Sequence, residues 1–185
     1  LERHEKGWNV ANGCHNSTIS PPKSGLDMSG VFQRFPKEKL MGLFMDILDP
    51  LGPFVDVALE TSHERRDQTG HQDLYREHID IPVLKSILWD YEDLLLDDGC
   101  TGIAVLNPGV PEEVHFDEHK LIIVYGARLG AYEAVMGKSS VPCDDGIKFI
   151  DEAEHVHSSS YRYRMQFDEL ITRLGIDEWT SASDY

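Results

Sequence analysis

Between residues 101 and 125 the chain carries three short apolar segments, joined by connections too short to hold a helix. A parallel pairing needs a crossover of a dozen or more residues, so these segments can pair only as an antiparallel meander. Residues 102–106 and 120–125 are apolar on both faces, the pattern of strands covered on both sides, whereas residues 113–116 alternate and read as half-buried. Asn107, Pro108 and Gly109 turn the chain between the first two.

Helical spacing surrounds this sheet. Leu40, Leu43, Phe44, Ile47 and Leu48 share one face of a helix expected over residues 36–48, with Pro36 in the first turn, where an N–H is not needed. Leu84, Ile87, Leu88, Tyr91, Leu94 and Leu95 form one stripe and predict a longer helix over 82–98. Asp80 and Pro82 suit its start, and Gly99 suits a left-handed close. Two more helices are expected over 128–137, from Leu129, Tyr132, Val135 and Met136, and over 162–174, from Phe167, Leu170, Ile171 and Leu174 with Gly175 behind them. Val55, Val57 and Leu59 predict a strand ahead of the meander and residues 147–150 one after it, while the almost wholly polar residues 60–80 read as a loop. The expected fold class is therefore α+β: an antiparallel or mixed sheet of four to six strands, with helices covering at least one face. Residues 1–30 lack any apolar period and read as a poorly patterned arm dispensable for the core, ahead of a single domain over 31–185.

Charge narrows the partners. The 33 acidic and 17 basic residues leave −16 at neutral pH, a field that repels phosphate backbones and anionic lipid and attracts cations or basic surfaces. Nucleic acid and membrane are thus excluded as expected partners, leaving a protein partner or a small ligand. Cys14, Cys100 and Cys143 are odd in number and widely spaced, which points to free thiols and a cytoplasmic location.

No dinucleotide, P-loop, zinc-protease or nucleophile-elbow motif occurs, and the Gly126 to Gly130 stretch reads as a simple turn. The chemistry-bearing anomaly is histidine, nine in all. Imidazole beside carboxylate is the donor set of zinc and non-haem iron sites. His155 and His157, if on a strand, would project from one face and could chelate one divalent metal, zinc or iron, with a third ligand from elsewhere. His115 and His119 are the other candidates. A two-residue turn at Asp117 and Glu118 would pair Phe116 with His119 and His115 with Lys120, sending the two imidazoles to opposite sides, so at most one of them is expected to join. Asp97 and Asp98, at a helix end where the dipole disfavours negative charge, suggest a cation site. Residues 60–67 concentrate polar groups in an expected mobile loop. Arg162 and Arg164 form a basic spot expected to pair with the surplus acids.

Two readings of function follow. The leading expectation is a non-catalytic cytosolic binding or interaction module using the acidic surface. The alternative is a small metal-dependent hydrolase built on His157, His155 and one of His115 or His119.

Overall fold

The computed structural model describes residues 37–63, 71–139 and 156–176. Their order is α1 (Lys37–Ile47), a 3-10 turn (Asp49–Leu51), β1 (Phe54–Thr61), β2 (Gln72–Asp80), α2 (Ile81–Asp90), α3 (Glu92–Asp97), β3 (Thr101–Leu106), β4 (Glu113–Phe116), β5 (Ile122–Tyr125), α4 (Gly130–Lys138) and α5 (Tyr161–Leu174). The five strands form one open antiparallel sheet in the order β2-β1-β3-β4-β5, so the fold is α+β and the meander is β3-β4-β5. The expected arm over residues 1–30 and the expected strand over 147–150 lie outside the described residues.

Alternation decides which face is dry. Val55, Val57, Leu59, Ile103, Val105, Val114, Phe116, Ile122 and Val124 point one way and are at most 4% exposed. Against them lie Met41, Phe44 and Leu48 of α1 and the flanking turn, Leu84 and Leu88 of α2, Leu94 of α3 and Phe167, Leu170 and Leu174 of α5. The Phe44 and Phe116 rings meet with centroids 5.0 Å apart, tying α1 to the sheet. Each such buried side chain stabilises the fold by about 1.5–3 kcal/mol. Among the described residues no helix is long and apolar enough to cross a membrane.

Several expectations need correction. Residues 60–80 are not one loop, because β1 runs on to Thr61 and residues 72–80 form the edge strand β2. An edge strand has a partner on one side only, and most of β2 stays solvated, so it shows no apolar alternation. A bulge between Val55 and Val57 marks this pairing, where His78 adopts φ 54° and donates its N–H to Asp56 Oδ1 at 2.8 Å. The stripe over 82–98 is two helices broken at Tyr91, whose φ −116° and ψ 26° leave the helical region. Gly99 does not close it in the left-handed region, where Gly175 does close α5 at φ 66°. Nor does the β4–β5 connection turn in two residues. Phe116 pairs with Ile122 and His115 with Ile123, leaving a five-residue loop over 117–121.

The antiparallel register brings five strand ends to one place. Thr61 stands opposite Gln72 and Thr101, and Phe116 opposite Ile103 and Ile122. Residues 62–63, 98–100 and 117–121 leave the sheet there.

Candidate metal centre

Backbone contacts draw a fourth segment to this end of the sheet. Gly99 donates its N–H to Ser158 O at 3.1 Å, which seats residues 156–160 beside the start of β3. A Cβ at Gly99 would stand 2.9 Å from that same oxygen, so the absence of a side chain is what permits the approach. The loop over 117–121 is organised by Asp117, whose Oδ1 accepts the N–H groups of His119 at 3.0 Å and Leu121 at 2.8 Å. Lys120 takes the left-handed conformation at φ 66°, holds Nζ 5.8 Å from the Phe116 ring centroid and donates it to Thr101 O at 3.2 Å. Burial pushes its ammonium down to about 8 despite the surrounding carboxylates.

These two segments place His119 and His157 ring against ring, edge-on, with centroids 4.9 Å apart. A nitrogen from each and a carboxylate oxygen of Glu118 all lie within 4.8 Å of one another. A tetrahedral ion with bonds of about 2.1 Å needs ligand separations of about 3.4 Å, so the donors must draw together to share one. Both rings have Nδ1 engaged, and on His157 that same nitrogen is the one 3.6 Å from Glu118 Oε1. His157 Nδ1 lies 2.7 Å from Gly99 O, and His119 Nδ1 lies 2.9 Å from Asp117 Oδ2. A ring nitrogen facing a carbonyl oxygen must carry the proton, so in the neutral His157 the lone pair is on Nε2; the Asp117 carboxylate imposes the same tautomer on His119. Ligating histidines have their second nitrogen held in this way by a carbonyl or a carboxylate. Glu118 is also braced, accepting from Ser62 Oγ at 3.2 Å.

A second cluster lies behind the first. His63 and Asp98 are 5% and 0% exposed, with His63 Nε2 3.0 Å from Asp98 Oδ2 and 2.9 Å from Ser159 Oγ. Thr61 Oγ1 accepts the His63 backbone N–H at 3.0 Å and lies 2.7 Å from Nδ1, so its own proton is available to that nitrogen. Thr101 donates to Asp98 Oδ2 at 2.5 Å. Burial raises the Asp98 carboxyl, but the bonds from His63, Ser159 and Thr101 more than offset it and hold the group below its usual range. Ser159 and Asp98 share one nitrogen of His63. A serine–histidine–aspartate relay needs them on opposite nitrogens, so this is not one. Cys100 completes a second possible donor set with His63 and Asp98, but burial raises its thiol and both His63 nitrogens are engaged. The cluster reads as a brace that fixes residues 98–100 and 157–160. Asp98 Oδ1 is buried with no hydrogen-bond partner among the described residues.

On the sheet face away from the helices, His115 Nε2 lies 2.9 Å from Oε2 of the buried Glu60. His71 Nε2 stands 3.9 Å from the same oxygen and 3.4 Å from Asp73 Oδ1. Desolvation opposes the charged form of His115, yet Glu60 outweighs it and raises the imidazole, while Asp73 raises His71. Both rings therefore favour a proton, which competes with a metal.

Of the four histidines singled out in the sequence, the structure brings His119 to His157, sends His115 to Glu60, and leaves His155 outside the described residues. Opposite sides for His115 and His119 were expected from a two-residue turn; the separation instead comes from the longer loop that carries His119 toward residues 156–160. Sequence reading missed Glu118 as a partner of both, and missed the brace of His63 with Asp98. The polar excess at residues 97–98 was its one signal: Asp97 pairs with Lys37 on the surface, and Asp98 turns inward. Arg128, in the Gly126 to Gly130 stretch, is committed to the buried Glu112 at 3.0 Å, which Tyr132 also meets. No family model, no curated protein and no solved structure matches the chain.

Proposed function

We propose that this protein binds one divalent transition metal, zinc or iron, through Glu118, His119 and His157, and uses it in metal-assisted hydrolysis of a small substrate. The observation that carries the reading is the paired orientation of two imidazoles by Gly99 O and Asp117 beside a carboxylate held by Ser62. Two imidazoles and one carboxylate satisfy zinc or iron(II) and leave positions for water and substrate. The three side chains are partly exposed, so solvent reaches them. The net charge of −16 favours cation capture. The ion would supply an activated water at neutral pH. The chain's own residues orient the donors and shield one side with the His63–Asp98 brace.

The test is metal content. Protein purified without a histidine tag should hold close to one zinc or iron per chain, and His119→Ala/His157→Ala should hold none while still folding. Metal-free protein, with a melting temperature indifferent to added zinc, iron(II) or manganese, would return the molecule to the reading of a non-catalytic acidic interaction module.

A further inference from the structure

Beside the histidine pair lies an open, shallow pocket of about 370 Å³, lined by Ser62, His63, Cys100, Ser159, Ser160, Tyr161 and Arg164. One permanent cation, Arg164, stands in its lining. In a chain with 33 acidic residues, cations are expected to be paired, and the neighbours of Arg164 are. Arg162 holds Asp93 at 2.6 Å and Arg173 holds Asp90 at 2.8 Å. The Arg164 side chain, on the same helix, makes no hydrogen bond or ion pair among the described residues, its backbone N–H going to Ser160 O at 3.1 Å, and it lines the pocket instead. Three serine hydroxyls and a phenol share that lining, and no carboxylate does. Two acids stand behind the lining: Asp98 Oδ2 is spent on His63 and Thr101, and Glu118 accepts from Ser62.

We infer that this pocket is a subsite for the oxyanion group, carboxylate or phosphate, of a small ligand, with Arg164 as its principal contact. A guanidinium offers a planar fork of donors that matches both groups, whereas Ser62 Oγ is already given to Glu118 and Ser159 Oγ to His63. That the subsite serves the metal centre rests on the reading above and on connectivity. Residues 157–161 give His157 to one and Ser159, Ser160 and Tyr161 to the other, and Ser62 lines the pocket while holding Glu118. An anion on Arg164 would thus hold the rest of its molecule toward Glu118 and the two rings.

The experiment titrates inorganic phosphate into wild type, Arg164→Gln, Arg164→Lys and His119→Ala, each metal-free and zinc-loaded, following the amide resonances of residues 159–164. Phosphate should shift them in metal-free wild type and in His119→Ala. Affinity should fall about tenfold or more in Arg164→Gln and be partly retained in Arg164→Lys. If wild type binds no phosphate, or Arg164→Gln binds it as well as wild type does, the inference is overturned. Binding that needs zinc and is lost in His119→Ala while Arg164→Gln keeps it would place the anion on the metal, also overturning the subsite but leaving the metal reading standing. Phosphate bound through Arg164 in a protein that takes up no zinc would uphold the subsite and remove the metal reading.

Discussion

Replacing Gly99 by alanine tests how the fold builds the centre. Gly99 does not use the left-handed region, so alanine can adopt its backbone conformation. The added Cβ, however, would stand 2.9 Å from Ser158 O and 3.1 Å from Ser158 N, against backbone rather than a yielding side chain. Ordinary contact begins near 3.4 Å, so residues 157–158 must retreat by about half an ångström. Overpacking of this kind costs about 1–3 kcal/mol. The same retreat loosens the bond from His157 Nδ1 to Gly99 O, and losing such an orienting partner weakens metal binding by about 10–100-fold. Calorimetric zinc titration and thermal unfolding of the metal-free protein read the two effects separately. Gly42→Ala is the matched control. It lies within α1 with nothing within 4 Å of its Cβ, and it should stabilise by about 0.5–1 kcal/mol and leave zinc affinity unchanged. A Gly99→Ala protein that binds zinc like wild type would refute the argument that residues 98–100 position His157.

Asp98→Asn should destabilise by about 3 kcal/mol, because it removes the charge behind two short bonds at a fully buried site. Melting should fall by about 6–12 °C, and an unchanged melting temperature would show that the brace contributes little. The depressed Asp98 carboxyl contributes stability above the unfolded carboxylate value of about 3.9, which fades as pH drops through its folded value; the acid limb of a urea-stability profile should flatten in Asp98→Asn. His115 runs the other way. Its raised imidazole stabilises fully below the unfolded value of about 6.5 and loses that contribution as pH rises through the folded one. Glu60→Gln should remove this alkaline-going loss, and a metal-free wild type whose stability is flat from pH 6 to 8 would contradict the pairing.

The apolar spacing made most of the architecture legible. Strands 101–106, 113–116 and 122–125 could pair in only one sense, and four stripes marked the helices. What the pattern could not carry was β2, because an edge strand that faces water on most of its length needs no alternation. Tyr91 escaped notice as a helix break because it sits on the stripe that both helices share. The candidate site was legible in composition, not in geometry. Histidine beside carboxylate pointed to it, but whether His115 or His119 faces residues 156–160 depends on loop length, which Asp117 sets by capping His119 and Leu121. Gly99 was read as a helix cap, whereas its function is to let two backbone segments touch.

The coordination shell around a bound ion tests the central claim most directly. Zinc added at one equivalent to the metal-free protein should give an X-ray absorption spectrum with only nitrogen and oxygen in the first shell, including two imidazoles. A sulfur scatterer at about 2.3 Å would place the ion at a cysteine, Cys100 with His63 and Asp98 being the set among the described residues, and absence of saturable uptake would leave Glu118, His119 and His157 without the function proposed for them.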